Sequence, residues 1–344
     1  MTEGDRKAVA LWLFAVAALI FVMVVLGGVT RLTESGLSMT DWRPVTGWLP
    51  PLNLEAWQAE FAKYQASPEF QKINFSMTLD GFKTIFWFEY AHRLLGRIIG
   101  VAFFVPFVWF LARGRLDRRH AINLGFIFLL GALQGAVGWY MVASGLVDRP
   151  YVSHYRLAMH LGLAVLIYAL IVSQALRLVM SPVYGHAETG IDPLRKVAWW
   201  LIALIGLTML SGAFVAGLDA GRAYNTFPLM DGRLIPEFYW ADDPWWLNPF
   251  DNIAAVQFNH RVLAVLTVVA VIAFALWSHR FRASMGSLSA IGLLAMAAVV
   301  QAGLGIATLL MFVPVWLGAL HQAGAMIVLT LALFVAHHLR RRAA

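Results

Sequence analysis

The sequence predicts an all-α membrane protein of eight transmembrane helices, built as two related four-helix bundles. Three observations lead to this class. Hydrophobic residues make up 60% of the 344 residues and charged residues only 13%, with a mean hydropathy of +0.70. Eight apolar stretches reach the length of about 20 residues that a helix needs to cross a bilayer. Histidine-containing segments of the first half of the chain recur in the second half.

The predicted spans have the following bounds: 9–29, 86–112, 121–143, 154–179, 197–218, 253–278, 286–312 and 315–338. The first stretch is too long for the core of a signal peptide and lacks a clear cleavage site, so we interpret it as a membrane span. Pro314 separates the last two spans.

Basic residues indicate the orientation, because lysine and arginine concentrate in short cytoplasmic loops. With eight spans, the basic clusters all fall on one side: Arg6 and Lys7; Arg113, Arg115, Arg118 and Arg119; Arg177, Arg195 and Lys196; Arg280 and Arg282; Arg340, Arg341 and Arg342. The protein is therefore predicted to lie in a bacterial inner membrane with both termini in the cytoplasm. Because the net charge of +7 resides in these clusters between apolar stretches, it does not indicate nucleic-acid binding.

The two long loops, about 30–85 and 219–252, are then predicted to be periplasmic, and both are rich in Trp and Pro. In the first loop, apolar side chains recur at helical spacing at Leu54, Trp57, Phe61 and Tyr64. This spacing predicts an amphipathic helix on the outer surface. The loops either cover something in the bundle or only anchor the chain at the membrane interface, where Trp is common.

The internal repeat divides the chain into halves at 1–185 and 186–344. Three segments of the first half match segments of the second: Glu89-Tyr90-Ala91-His92-Arg93 matches Gln257-Phe258-Asn259-His260-Arg261, Gln134-Gly135-Ala136-Val137-Gly138 matches Gln301-Ala302-Gly303-Leu304-Gly305, and Leu157-Ala158-Met159-His160 matches Gly318-Ala319-Leu320-His321. A looser match pairs Gly27-Gly28-Val29 with Ser211-Gly212-Ala213. Because each half has an even number of spans, the halves run parallel, related by an axis along the membrane normal.

Four histidines occupy repeated positions near the outer ends of predicted spans, and we interpret them as two pairs of haem ligands. They are His92 with His160 and His260 with His321, each about 9 Å below the outer surface at the rise of an α-helix. Two imidazoles on neighbouring helices suit the axial positions of a haem iron. The alternative is a set of hydrogen-bonded core histidines. The other six, His120, His154, His186, His279, His337 and His338, are predicted to be solvated or interfacial.

Charged and small residues near these histidines each have two possible roles. Arg93 and Arg261 follow ligand histidines and either bind haem propionates or extend to lipid headgroups. Glu89 has the neutral counterpart Gln257, which indicates either chemistry in one half only or a structural salt bridge to Arg93 or Arg97. The third helix of each half is thinned by Gly131, Gly135, Gly138, Gly303 and Gly305, which either admit a flat macrocycle or allow close helix packing.

These motifs together resemble the haem A synthase family over essentially the whole chain. The resemblance rests on Glu89-x-x-His92-Arg93, His160, Asn259-His260-Arg261 and His321. Similar segments also run from Gly27 to Ser38 and from Gly217 to Gly221. The chain has no cysteine, which excludes thiolate ligands and resembles the cysteine-free branch of mitochondria and related bacteria.

The resemblance implies an oxidoreductase that converts haem O to haem A for cytochrome oxidase, through two hydroxylations of the C8 methyl to a formyl group. It implies that His92 and His160 ligate the substrate haem O, that His260 and His321 ligate a resident haem b, and that Glu89 is a base or electrostatic stabiliser. The expected partners are haem O synthase, an unidentified electron acceptor and membrane lipid, with a homo-oligomer left open.

Two other functions remain open at this point. A non-catalytic diheme electron-transfer protein would explain the four histidines but not the difference between Glu89 and Gln257. A haem transporter would use a parallel repeat, although it would place its binding site near the bilayer midplane.

The distribution of basic residues yields a topological prediction. A reporter that is active only in the periplasm should be active when fused near residue 60 or 240, and inactive near residue 116 or 188, because basic loops remain in the cytoplasm. Alkaline phosphatase activity of the four fusions, normalised to their abundance, tests this. The opposite pattern would contradict the predicted orientation and the outer location of the histidines.

Overall fold

A computed structural model describes residues 1–147, 149–180, 191–281 and 283–339. Within these residues the protein has eleven α-helices and no β-strand, only an isolated bridge between Met230 and Arg233. Eight helices are long and apolar enough to cross a membrane: α1 (Glu3–Leu32), α4 (Leu79–Ala112), α5 (Arg118–Ala143), α6 (His154–Val179), α7 (Asp192–Gly217), α9 (Ile253–Ser278), α10 (Met285–Leu310) and α11 (Val315–His338). This confirms the predicted all-α class with eight spans. The predicted boundary between the halves, His186, Arg282 and Arg340 to Arg342 lie outside the described residues.

Three short helices lie in the two long loops: α2 (Leu54–Gln65), α3 (Pro68–Lys72) and α8 (Asn248–Asp251). We call the face of the bundle that carries residues 33–78 and 218–252 the long-loop side. α2 is the amphipathic helix that the spacing of apolar residues predicts. It begins after Asn53, whose side chain accepts a hydrogen bond from the Ala56 amide at 2.8 Å and so satisfies one free donor of the first turn.

The spans α6, α9 and α11 have the predicted bounds, whereas α4 begins at Leu79 rather than at residue 86. Thr78 caps the added turns by accepting a hydrogen bond from the Gly81 amide. Phe82 and Phe86 on these turns are buried in a cluster with residues of the first long loop. Hydropathy does not identify these turns as part of the span, because their apolar side chains alternate with polar residues and pack on protein. His92 consequently lies farther from the start of its helix than the other three repeated histidines.

Each half forms a ring of four spans. In the first, α4 and α5 pack on each other, and they pack on α1 and α6 respectively, which are themselves in contact. In the second half, α9 and α10 take the places of α4 and α5, between α7 and α11. The halves meet mainly through α1, α6, α7 and α11. The other two spans of each half, α4 with α5 and α9 with α10, pack mainly within their own half.

Equivalent contacts connect the two halves on the long-loop side. A Cβ on Gly318 would lie 2.6 Å from the Leu32 side chain, and one on Gly217 would lie 3.4 Å from that of Leu157. Arg31 forms an ion pair with Asp219 at 2.7 Å, and Arg222 approaches Glu34 at 3.6 Å. The acidic residues of these two pairs both have left-handed backbone conformations, just after α1 and α7 end.

The first long loop folds into a compact cap whose apolar core joins α2 and α3 to the start of α4. Tyr64, Phe82, Phe86 and Tyr90 form this core, and the half-buried Trp57 packs on it. Glu69 lies buried in the same cap and accepts a hydrogen bond from the Tyr64 hydroxyl at 3.0 Å. Burial raises the pKa of Glu69 to about 7, although the hydrogen bond from Tyr64 lowers it; the charges of Glu89 and Glu34 raise it further.

We predict that the stability of the cap falls as the pH rises from about 4.5 through about 7. Because the folded pKa of Glu69 lies above that of the unfolded chain, the stabilisation is fully present below the unfolded pKa and is lost as the folded form ionises, on the order of 3 kcal/mol. Hydrogen exchange of residues 64–74, corrected for the intrinsic rate, should therefore be faster at pH 8 than at pH 5. In Glu69→Gln, which can still accept the Tyr64 hydrogen bond, this dependence should disappear. An equal dependence in both proteins would contradict the prediction.

Candidate haem-binding sites

Each of the four repeated histidines packs its ring against a glycine on the preceding span. A Cβ at the glycine would lie within about 3 Å of the ring Cε1, closer than side chains pack. The four pairs, with the distance from that Cβ to Cε1, are Gly27 with His92 at 2.9 Å, Gly138 with His160 at 2.9 Å, Gly212 with His260 at 3.1 Å and Gly305 with His321 at 2.7 Å. The same contact thus recurs in the helix pairs α1/α4, α5/α6, α7/α9 and α10/α11.

The histidines also pair within each half as the repeat predicts. His92 lies within electrostatic range of His160, and His260 lies within range of His321. The structure therefore brings together one imidazole from the second span and one from the fourth span of each half. Ligation of iron by these pairs stays a prediction.

Three of the four rings have a polar neighbour at Nδ1. Ser211 Oγ lies 2.8 Å from Nδ1 of His260. The Nε2 atoms of Gln134 and Gln301 lie 3.1 and 3.0 Å from Nδ1 of His160 and His321 respectively. Ser211 donates to the Thr208 carbonyl and can accept the Nδ1 proton of His260, which orients that ring and leaves its Nε2 as the ligand atom. The amide nitrogens of Gln134 and Gln301 are donors, so they orient their rings with Nδ1 as the acceptor. Gln134 also lies 3.4 Å from Nε2 of His160.

His92 differs, because its Nδ1 is buried without a hydrogen-bond partner. The glycine contacts explain this difference, because they align the first span of the two halves differently from the looser sequence match. Gly27 and Gly212 are the equivalent residues, so the position of Ser211 corresponds to Leu26, which has no polar side chain. The predicted pairing of Gly27 with Ser211 was wrong by one residue, since sequence similarity in this segment is too low to define the register.

Glu89 is buried, 3% exposed, and both carboxylate oxygens are engaged. Oε1 accepts from Nη2 of Arg93 at 2.5 Å, and Oε2 accepts from the Ser38 hydroxyl and the Met39 amide, each at 2.6 Å. The guanidinium of Arg93 also donates to the carbonyl oxygens of Met39 and Asp41. Glu89 and Arg93 together therefore hold the segment that follows α1 against α4.

Gln257 and Arg261 hold the segment that follows α7 against α9 in the second half, but with a different pattern of hydrogen-bond donors. The amide nitrogen of Gln257 donates to the carbonyl oxygens of Ala220 and Ala223 at 2.6 and 2.5 Å. Arg261 donates to Gln257 Oε1 and to the carbonyl oxygens of Tyr224 and Thr226. The carboxylate of Glu89 accepts from its loop, whereas the amide of Gln257 donates to its loop.

These contacts bear on the prediction that Arg93 and Arg261 bind propionates. Both guanidinium groups are directed to loop carbonyls, although Nε of Arg261 is buried without a partner. Arg97, one turn beyond Arg93, has Nε and Nη1 buried without a partner and donates from Nη2 to the Arg43 carbonyl. Its repeat counterpart is Val265, a difference that could have identified Arg97 in the sequence.

Two of the remaining histidines, predicted to be solvated or interfacial, make specific contacts. His154 forms a 2.8 Å contact between its Nε2 and Asp251 of α8, linking the two halves. His337 is 5% exposed and packs edge-on against Trp199. Both partners lie on elements distant in sequence, so spacing carries no signal for them.

The residues present fit a haem with two imidazole ligands in each half. The donor set contains four paired histidines and no thiolate, and each ring occupies a space that a Cβ on the facing glycine would fill. The facing glycines admit all four rings, and the Ser211 contact orients His260 in the manner expected of an axial ligand.

Comparison with known proteins agrees with this chemistry. Residues 10–333 match the COX15-CtaA family, described as cytochrome oxidase assembly protein. A protein of Nitrosospira multiformis named heme A synthase is 51% identical over 98% of this chain and 95% of its own length. Proteins of the same name from Rhodospirillum centenum and Parvibaculum lavamentivorans are each 49% identical, over 97% and 99% of this chain and 89% and 96% of their own lengths.

Proposed function

Because this chain belongs to the COX15-CtaA family of cytochrome oxidase assembly proteins, we propose that it synthesises haem A, by oxidising the C8 methyl of haem O to a formyl group. The observation that carries the proposal is the presence of two imidazole pairs, each ring packed against a glycine, in a chain about half identical to proteins named heme A synthase. The protein is a multi-pass membrane protein. We further propose that it lies in a bacterial inner membrane with cytoplasmic termini, which the clusters of basic residues support.

We assign the two halves different haems. In the second half, His260 and His321 would hold a resident haem b, and both rings are already oriented through Nδ1, by Ser211 and Gln301. When bound, that haem supplies a one-electron redox group. In the first half, His92 and His160 would hold the substrate haem O.

Glu89 is proposed to act on the substrate from one helical turn before His92. Each of the two hydroxylations adds the oxygen of a water molecule, releases two protons and passes two electrons to a separate acceptor; the resulting diol then loses water to give the formyl group. Arg93 and the Ser38 hydroxyl donate hydrogen bonds to the carboxylate of Glu89 and fix its position. A buried carboxylate there can stabilise positive charge that develops on the oxidised methyl, or accept a proton from the attacking water.

One observation favours a second function, that of a non-catalytic diheme electron-transfer protein. Glu89 with Arg93 and Gln257 with Arg261 hold equivalent loop segments against equivalent helices, so a structural role could by itself explain the carboxylate. The two functions differ in their product, because only the enzyme changes haem O covalently. Haem extraction and mass analysis from cells with and without the protein separates them.

Occupancy of the resident site gives the first functional prediction. His260→Ala or His321→Ala should remove the low-spin haem b spectrum of the purified protein, because one axial ligand is lost in each. His160→Ala is the matched control, with an imidazole removed from the other half, and should keep that spectrum. A normal haem b spectrum in both second-half variants would refute the assignment of the resident site.

The second functional prediction concerns Glu89. Glu89→Gln removes the charge but keeps the size of the side chain, and should lower haem A formation at least about tenfold, or about 1.4 kcal/mol. Haem O or its hydroxylated intermediate should accumulate, while the resident haem b spectrum is retained. The measurement is haem extraction and mass analysis at matched protein abundance.

Two controls separate charge from loop attachment. Ser38→Ala removes one hydrogen bond to Glu89 but leaves the carboxylate, so haem A formation should stay near wild type. Gln257→Glu places a carboxylate in the second half and should leave the product unchanged. Wild-type haem A levels in Glu89→Gln, or an equal loss in Ser38→Ala, would make Glu89 a structural residue.

A further inference from the structure

The first half carries glycine at four positions where the second half carries larger residues. They lie on two neighbouring spans, with Gly96 and Gly100 on α4 and Gly131 and Gly135 on α5. The repeat places Ala264, Val268, Ala298 and Ala302 at the equivalent positions of α9 and α10. We call the space between α4 and α5 beside these four glycines the glycine cleft.

Solvent exposure shows that the glycine cleft is open. All four glycines are exposed, whereas none of the four counterparts is. A Cβ on Gly100, Gly131 or Gly135 would meet no atom within 4 Å. In addition, α9 packs along α10 more extensively than α4 packs along α5.

The inner face of α5 shows where the two halves diverge. Leu124 and Ile127 are buried on this face, as are their counterparts Ile291 and Leu294 on α10. One turn further towards the long-loop side, the second half continues with the buried Ala298, which is 2% exposed. The first half continues with Gly131, which is exposed. The cleft therefore opens at Gly131, on the face that carries Gln134 and Gly138 towards His160.

Aromatic side chains mark both ends of the glycine cleft. Away from the long loops, Phe128 of α5 packs on Phe103 and Phe104 of α4, with ring centroids 6.2 and 5.1 Å apart. On the long-loop side, Trp42 stacks on Trp139 of α5, with centroids 5.6 Å apart and planes 9° apart. The rise of an α-helix places Trp139 about 16 Å from Phe128 along α5. The counterpart of Trp139 is Ile306.

A polar atom within this stretch lacks a partner. Gln134 lies between Gly131 and Gly135 in sequence, and its Nε2 contacts His160 while its Oε1 is buried without a hydrogen bond, as is Oε1 of its counterpart Gln301. The glycines of the first half thus flank a residue that contacts a histidine proposed to hold the substrate.

We propose that the glycine cleft receives the long isoprenoid side chain of haem O, and that it gives the first site its preference for haem O over haem b. This inference rests on the proposed function, in which His92 and His160 bind the substrate. Haem O carries an apolar chain that haem b lacks, so a site for it needs an apolar space beside the macrocycle. The glycine cleft is such a space, and it lies beside one histidine pair only.

Hydrophobic transfer does not account for this preference. An isoprenoid chain that leaves lipid for a protein cleft gains little hydrophobic free energy, because lipid tails are as apolar as the cleft. The preference of the first site for haem O must then come from close packing of the chain in the cleft, while the absence of room in the second half excludes haem O from the second site. At the equivalent positions the second half carries the side chains of Val268, Ala298 and Ala302, none of which is exposed.

The experiment places these second-half side chains in the first half. The triple variant Gly100→Val, Gly131→Ala, Gly135→Ala should fold, because no atom lies within 4 Å of any added Cβ and alanine favours helix over glycine. Haem O and haem b are titrated separately into the full-length protein that already carries its resident haem. Absorbance gives the dissociation constant of each at the first site.

Wild type should bind haem O more tightly than haem b, and the triple variant should lose at least about tenfold of that preference. Gly303→Ala is the matched control, since Gly303 of α10 is also exposed with no atom within 4 Å of its Cβ; it should leave the preference unchanged. Equal affinities for both haems in wild type, or an unchanged preference in the triple variant, would overturn the role of the glycine cleft but not the proposed function. Failure of wild type to bind any second haem would overturn the proposed function as well.

Discussion

The constraint on which this structure depends is the contact between each repeated histidine and a glycine of the preceding span. An imidazole inside a membrane-spanning bundle needs space between two helices, and the missing Cβ of Gly27, Gly138, Gly212 or Gly305 supplies it. Because the contact recurs four times, it sets the spacing of the helices within four successive pairs. The two imidazoles of each half lie within electrostatic range of each other.

The segments that follow α1 and α7 are held by the same helices that carry His92 and His260. Arg93 and Arg261 each follow one of these histidines directly and bind the carbonyl oxygens of the adjacent loop. A buried carbonyl needs a donor, so these arginines satisfy the loop backbone and keep it against the bundle. Attachment of the loop and positioning of the histidine are thereby coupled through one helical turn.

On this shared framework, the two halves differ in charge, in hydrogen bonding and in packing. The first half has a carboxylate at Glu89, an unpartnered Nδ1 on His92 and an open space beside Gly131. The second half has an amide, a hydroxyl contact to His260 and a closed helix pair. These differences support the proposal that the second site holds a resident haem and the first site holds a substrate.

The sequence by itself determined the eight spans, the internal repeat and the four histidines, because long apolar runs and repeated motifs are local signals that need no knowledge of contacts. Only the tertiary structure decided that α4 extends to Leu79, since Phe82 and Phe86 are buried by a cap distant in sequence. It likewise decided that Gly27 corresponds to Gly212, that Arg93 is directed to loop carbonyls and that His154 contacts Asp251. Each of these depends on which residues meet across helices, and the spacing of residues along one helix cannot specify its partner on another.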